Sequence, residues 1–230
     1  MLLRVPELLS PQAVARIRSL IETADWSDMR GAAGSGQAMA QVRGNRQLPE
    51  DGKAARAAST IIIEALSINP LFFTGALPKK IVPPQFNRHD PIASNPAGSI
   101  ESAMRVLATT GMQVRVDIAA TIFLSDPREY EGGELIIENH LSSHTLKLRA
   151  GDIVLYPASS LTRVQTVTRG VRLSAMFWVE SMVREEERRR LLYEMDTAIT
   201  ALRARNGDSD ELARLSACYH NLTRMWATTS

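Results

Sequence analysis

The stretch HTLKLRAGDIVLYP at residues 144–157 runs into LTRVQTVTRG at 161–170 and VRLSAMFWVESMV at 171–183, and these segments decide the fold. Each is rich in β-branched or aromatic residues and is bounded by Gly, Pro or Ser, as short strands are. The strand-like runs upstream are IVPPQFNR at 81–88, QVRVDIAATIFL at 113–124 and GGELIIEN at 132–139. Short strands in such close succession predict an antiparallel jelly roll or barrel, which closes or shields its sheet edges.

Helical patterns lie on both sides of this β region. Ser10-Pro11 is a helix start, and Val14, Ile17 and Ile21 mark one apolar face; a second helix is expected from about Lys53 to Ser67. After Val183 the spacing becomes helical again. We therefore expect an α+β, mainly β chain with a β domain and its N-terminal helices at 1–183 and a C-terminal helical extension at 184–230.

Composition excludes several classes of partner. The 230 residues carry a net charge of only +2 and lack a signal-peptide or membrane-spanning pattern, so we expect no nucleic-acid partner, no membrane partner and a cytoplasmic protein. The only cysteine, Cys218, forms no intramolecular disulfide and is expected to be a small buried hydrophobe in the last helix.

The order and spacing of several short motifs resemble those of the PKHD-type hydroxylases, prolyl 4-hydroxylase-like members of the iron(II) and 2-oxoglutarate dependent dioxygenase superfamily. The motifs that carry the resemblance are FNR at 86–88, VRVD at 114–117, EYEGGEL at 129–135, SHTLKL at 143–148, AGDIVLYP at 150–157, VTRGVR at 167–172, FW at 177–178 and YHNL at 219–222. The resemblance implies a double-stranded β-helix, jelly-roll or cupin-like, whose open end holds iron, 2-oxoglutarate and substrate.

The chain departs from that family at the metal. The resemblance implies a His-X-Asp motif and a distal His as iron ligands, but Ser99-Ile100-Glu101 and Thr162 stand at those positions. One carboxylate with two hydroxyls is a poor ferrous site, so we predict no metal site, and iron as a cofactor only if His89 and Glu101 supply unusual ligands.

Arg172 lies ten positions after Thr162, the interval that the resemblance implies for the arginine that binds the far carboxylate of 2-oxoglutarate. A buried guanidinium needs an anion, which is either a bound carboxylate or an internal partner such as Glu101 or Asp117. The remaining candidate ligand-binding residues are Asn87, Arg115, Ser99, Thr162 and Trp178.

Glu101 and Asp117 are the candidate catalytic carboxylates. The competing interpretations are a solvated loop glutamate and a hydrogen-bonded strand aspartate.

Three functions follow from these residues. The first is metal-independent binding or conversion of a small carboxylate-bearing molecule, with 2-oxoglutarate or another carboxylate as ligand and no cofactor. The second is an oxygenase with unusual iron ligands, and the third a non-catalytic scaffold or regulatory subunit. A homo-oligomer formed through the C-terminal helices is a further expectation.

Overall fold

A computed structural model of the chain describes residues 1–28, 45–91, 98–107, 110–139 and 142–228. The helices are α1 Pro11–Glu22, α2 Lys53–Ile68, α3 Pro70–Ala76, α4 Glu186–Asn206 and α5 Asp210–Trp226. The strands are β1 Leu3–Val5, β2 Ser27–Asp28, β3 Asn45–Gln47, β4 Pro78–Ile81, β5 Gln85–His89, β6 Met104–Val106, β7 Gln113–Arg115, β8 Ile118–Phe123, β9 Tyr130–Gly132, β10 Leu135–Glu138, β11 Ser143–Leu146, β12 Ile153–Pro157, β13 Leu161–Val164, β14 Val167–Gly170 and β15 Arg172–Ser181.

The long strand β15 lies at the centre of the major sheet. The strand order is β1-β12-β8-β15-β5-β3-β2, and β4 also pairs with β15. Side chains alternate between the two faces of a strand, and the outer face of this sheet carries Phe86, Ile122, Ala175 and Phe177. Helices α1 and α2 cover that face with their apolar stripes, so both predicted N-terminal helices are present.

A smaller sheet, ordered β11-β10-β13, packs against the inner face. Leu135, Ile137 and Leu146 of this smaller sheet share an apolar layer with Val154 and Trp178 of the major sheet. All strand pairs are antiparallel among the described residues. The predicted α+β fold with a jelly-roll core is confirmed.

The C-terminal helices α4 and α5 pack on the base of the β domain. Leu77, Val183 and Leu192 form a small buried cluster there, and the Thr228 N–H donates to the Met182 carbonyl at 2.8 Å. These contacts do not test the division at residue 183, which stays a prediction.

Cys218 is exposed, so its predicted burial is wrong. The apolar side of α5 runs through Leu212, Tyr219 and Trp226, and Cys218 lies off that stripe.

No single helix in the described ranges is long and apolar enough to cross a membrane. The pair α2 and α3, bent by 83°, passes the same length and composition test only when both helices are taken together. Helix α2 buries Ala55, Ala58, Ile62 and Leu66 in the protein core.

Candidate functional site

A row of polar side chains lines the inner face of the major sheet where β15 begins. Arg172 lies directly opposite His89 of β5, and Ser174 lies opposite Asn87 of β5 and Phe123 of β8. Residues opposite one another on antiparallel strands project to the same face. Asn87, His89, Arg172 and Ser174 are each less than a tenth exposed. The barrel therefore holds a buried polar patch around one guanidinium.

Arg172 is fully buried, at 1% exposure, and has few partners. Its Nη1 donates to Ser174 Oγ at 2.8 Å, and its guanidinium lies 5.5 Å from the centre of the Phe123 ring. Its Nε and Nη2 have no hydrogen-bond partner within the described residues. Burial lowers the pKa of this guanidinium from its ordinary value, yet an arginine stays charged in proteins.

Neither carboxylate proposed as an internal partner of Arg172 contacts it. Glu101 Oε2 accepts from Arg105 Nη2 at 3.1 Å, and Asp117 Oδ1 accepts from Arg115 Nε at 2.7 Å. The internal-pairing interpretation of Arg172 is therefore wrong for both residues, because each carboxylate already has its own cation.

Tyr130 of β9 approaches Arg172 from the neighbouring strand pair. The two side chains interact through their charges and through a side-chain contact, while burial raises the pKa of the Tyr130 phenol. The phenolic oxygen is buried, and within the described residues it makes no hydrogen bond of good geometry. A phenol and a guanidinium with unused N–H groups together form a donor set for an anion.

The GGEL motif makes room for this pair. Gly133 has φ +68°, and a Cβ atom there would lie 2.9 Å from the Tyr130 ring and 3.1 Å from Arg172 Cδ. Glycine is thus favoured twice, by its left-handed backbone and by the close approach of both side chains.

Ser99 and Thr162 lie side by side. Their backbones form an antiparallel bridge with N–H to carbonyl distances of 2.8 and 2.9 Å. Thr162 Oγ1 also donates to the Ser99 carbonyl at 3.2 Å. This hydroxyl is thus already used within the protein.

Glu101 follows two residues after Ser99 and is tied to Arg105. The Arg105 guanidinium lies 3.2 Å from the centre of the Trp178 ring, a close cation–π contact. Arg105 Nε and Trp178 Nε1 are buried and have no hydrogen-bond partner within the described residues. Sequence reasoning missed Arg105, because an i,i+4 spacing signals an ion pair only on a helix and this segment is a loop that leads into β6.

His89 is buried in the barrel, where the strand register puts it opposite Arg172. Burial, and secondarily the charge of Arg172, lower the pKa of His89 from 6.5 to about 3. The imidazole is therefore neutral near pH 7, and its Nδ1 has no hydrogen-bond partner in the described part of the chain.

Tyr156 connects the two ends of this interior. Its hydroxyl lies 3.2 Å from Thr121 Oγ1, and burial raises the pKa of its phenol. The charges of both Glu101 and Arg172 act on this phenol, with opposite sign. Glu101 and Arg172 thus both lie close enough to Tyr156 for their charges to act on it.

Asp117 and Arg115 lie apart from this interior. They pair with each other near the far end of β15, where the Ser181 N–H donates to Asp117 Oδ2 at 2.9 Å and Arg115 Nη2 donates to the Ser181 carbonyl at 3.1 Å. Six of the eight predicted site residues thus surround the barrel interior: Asn87, Ser99, Glu101, Thr162, Arg172 and Trp178. In the described ranges, no three His, Cys, Asp or Glu side chains are grouped as metal ligands would be.

Three comparisons relate the chain to known proteins. Residues 186–228 match the model of the PKHD-type hydroxylase C-terminal domain. A PKHD-type hydroxylase of Polaromonas sp. is 48% identical over 229 residues, covering all of both chains, and one of Methylobacterium nodulans is 45% identical over 228 residues, covering 99% of each.

Solved structures share the fold at low identity. A Pseudomonas putida prolyl-4-hydroxylase matches with a TM-score of 0.53 and 16% identity, covering 78% of this chain and 92% of that one. HygX of Streptomyces hygroscopicus, solved with nickel, 2-oxoglutarate and hygromycin B, matches with a TM-score of 0.51 and 16% identity, covering 80% and 84%.

Proposed function

The chain belongs to the PKHD-type hydroxylase family, and from that premise we propose that it binds, and converts or senses, a small carboxylate-bearing molecule in the jelly-roll pocket without resident iron. The observation that carries the proposal is Arg172, a buried cation with two nitrogens that lack partners in the described chain. A bound carboxylate would accept from those nitrogens and from the Tyr130 phenol.

Burying an unpaired guanidinium is costly, and removing such a charge usually stabilises a fold. A fold-stabilising role therefore gives no reason to keep Arg172 without an internal carboxylate. An anionic ligand that enters from solvent supplies the missing partner. Charge-assisted hydrogen bonds are about twice as strong as neutral ones, so this one contact would dominate binding.

The same donors fit one carboxylate of 2-oxoglutarate, the co-substrate expected from the family. Arg172 and Tyr130 would hold that carboxylate, and Ser174 would keep the guanidinium in place through its 2.8 Å hydrogen bond. Asn87 and neutral His89 would bound the same patch from β5. Their role is to orient the ligand and exclude water.

The residues at the family's metal positions do not fit ferrous iron. Iron in this superfamily needs two imidazoles and a carboxylate on one face. Ser99 and Thr162 offer hydroxyl oxygens, one of which donates to a carbonyl, and Glu101 is engaged by Arg105. No step of the proposed function therefore uses iron.

An oxygenase with iron held by His89 and Glu101 has less support. His89 is directly opposite the Arg172 guanidinium, so a divalent cation bound to it would meet a buried positive charge. A non-catalytic subunit that pairs through α4 and α5 remains compatible with the fold, and oligomeric state tests it.

Thermal melting with small carboxylates tests the proposal. A ligand at a hundred times its Kd stabilises the folded state by about 2.7 kcal/mol, which raises the melting temperature of a chain of this size by about 5–10 °C. We expect Arg172→Met to abolish the shift. Arg169→Met is the matched control, because Arg169 lies nearby but pairs with Glu131 at the surface.

Metal content provides the second arm of the test. After anaerobic loading with ferrous iron and desalting, we expect metal analysis to find well under one iron per chain. Near-stoichiometric iron would contradict the metal-independent function. A carboxylate-induced rise in melting temperature that persists in Arg172→Met would contradict the assignment of Arg172 as the residue that binds the ligand.

A further inference from the structure

The geometry points to a preference within this pocket that rests on the proposed function: the ligand is a monoanion, with a carboxylate at one end and an uncharged acceptor such as an amide or carbonyl at the other. Dianions, including 2-oxoglutarate itself, bind more weakly. The two ends are set by Arg172 and by the Arg105–Trp178 stack.

The charge balance of the interior carries the first step. Glu101 is paired with Arg105 at 3.1 Å, and Glu134, which acts on Arg172 from a distance, has Lys147 at 3.6 Å. Arg172 is left as the uncompensated cation of this interior among the described residues. One negative charge on the ligand makes the site neutral, and a second leaves a buried charge without a partner.

The second step concerns the far end of the pocket. Trp178 is 2% exposed, and its indole N–H can only donate; the Nε of Arg105 also only donates. Neither atom has a hydrogen-bond partner in the described chain. Unused donors call for an acceptor, and because the charge of Arg105 is already balanced by Glu101, that acceptor should be neutral.

The third step is that one molecule can meet both ends. Arg172 and Trp178 are six residues apart on β15, an even spacing that puts both side chains on the inner face. At about 3.3 Å per residue their Cα atoms are about 20 Å apart, so the ligand must be elongated. The charges of both Glu101 and Arg172 act on the Tyr156 phenol, so the two ends face a common interior.

A dianion meets a specific obstacle at this far end. In an iron enzyme a metal ion would add positive charge at this end, whereas here the Glu101–Arg105 pair is already neutral. The second carboxylate of a dicarboxylate would add a charge without a free counter-charge in a poorly screened interior, which is costly. An amide of the same length avoids this cost and still accepts from Trp178.

The test uses matched triplets of ligands at the same chain length. Glutarate, its monoamide glutaramate and the monoacid valerate form one triplet, and the corresponding eight- and twelve-carbon compounds extend the series toward the length that the span requires. Calorimetric titration at neutral pH gives the Kd of each. At the best length we expect the monoamide to bind about tenfold more tightly than the diacid, equal to about 1.4 kcal/mol. We expect an advantage of about fivefold over the monoacid, the worth of one neutral hydrogen bond.

Two variants assign the effects to residues. Glu101→Gln frees Arg105, so the diacid should gain about tenfold relative to the monoamide. Trp178→Phe keeps the ring but removes the donor, so the monoamide should lose its advantage over the monoacid. Trp26→Phe is the matched control, since the Trp26 indole donates to the Ile21 carbonyl at 3.0 Å, outside the barrel.

The outcomes separate the two proposals. If diacids bind the wild-type chain as tightly as monoamides, and Arg172→Met abolishes their binding, the monoanion preference is overturned and the proposed function stands. If none of the carboxylates binds, or if Arg172→Met binds them unchanged, the proposed function itself fails. The wild-type series decides the preference even if a variant does not fold.

Discussion

Acid should destabilise this protein through His89, and the effect can be calculated. In the unfolded chain His89 titrates at its ordinary pKa of 6.5, whereas in the folded chain burial and Arg172 lower its pKa to about 3. Between those values the unfolded state binds a proton that the folded state does not. The contribution of neutral His89 to the free energy of unfolding is therefore complete above about pH 6.5 and is lost progressively as the pH falls toward 3.

Each pH unit inside that window costs about 1.4 kcal/mol of unfolding free energy from this one group. From about pH 7.5 to about pH 4.5 the loss amounts to about 2.5 kcal/mol. Exposed carboxylates contribute to the acid limb as well, so the quantity to measure is the difference between the wild type and a variant that cannot titrate. His89→Asn provides it, because asparagine keeps a polar group opposite Arg172 without a proton to gain.

Urea denaturation at several pH values measures this difference. The wild-type free energy of unfolding should fall about 2.5 kcal/mol further than that of His89→Asn across the window. His144→Asn is the control, because His144 lies in β11 outside the buried polar patch. Parallel pH profiles for the wild type and His89→Asn would refute the burial of a neutral imidazole beside Arg172.

Three further perturbations test other parts of the structure. Combining Ser99→His, Glu101→Asp and Thr162→His should create ferrous iron binding, measured by metal content after desalting. A folded variant without iron would show that these three positions do not converge as metal ligands. Gly133→Ala should lower both carboxylate affinity and stability by about 1–3 kcal/mol, because the added Cβ meets Tyr130 and Arg172 at a position where φ is positive. Unchanged calorimetric and melting data would show that the loop relaxes freely. Arg115→Met should lower stability by about 1–3 kcal/mol through loss of the Asp117 pair while leaving carboxylate binding intact, and weaker binding would bring Arg115 back into the site.

The sequence predicted the strands well because their signals are local. Short runs of β-branched, aromatic and other apolar residues bounded by Gly, Pro or Ser mark β8, β10, β12 and β15, and Ser10-Pro11 marks α1. Helix α3 was not predicted, because a proline directly after a helix, here Pro70 after α2, is typical of the end of that helix. Asn69 also begins the next helix, where its side chain accepts from the Phe72 N–H at 2.8 Å.

The site was predicted in part. The residues that share a face of one strand follow from their spacing in the sequence, whereas the strands that lie side by side do not. Arg172 and Trp178 share a face by their even spacing, which the sequence displays. That His89 lies opposite Arg172 depends on which strand pairs with β15, and no pattern within either strand fixes this. For the same reason the contact between Asp117 and Ser181, which places Asp117 and its neighbour Arg115 away from the site, emerged only from the structure.

Under the proposed function, Arg172 and Glu101 give the pocket a use that needs no metal. Arg172 is a cation at one end of the interior, and at the other end Glu101 forms a balanced ion pair with Arg105. An unpaired buried guanidinium works against folding stability, whereas a neutral side chain of similar volume does not. A chain that needed only a stable fold would gain stability by replacing Arg172 with such a neutral side chain. A chain that still binds an anion has a reason to keep Arg172, together with the glycine that makes room for it and the phenol beside it.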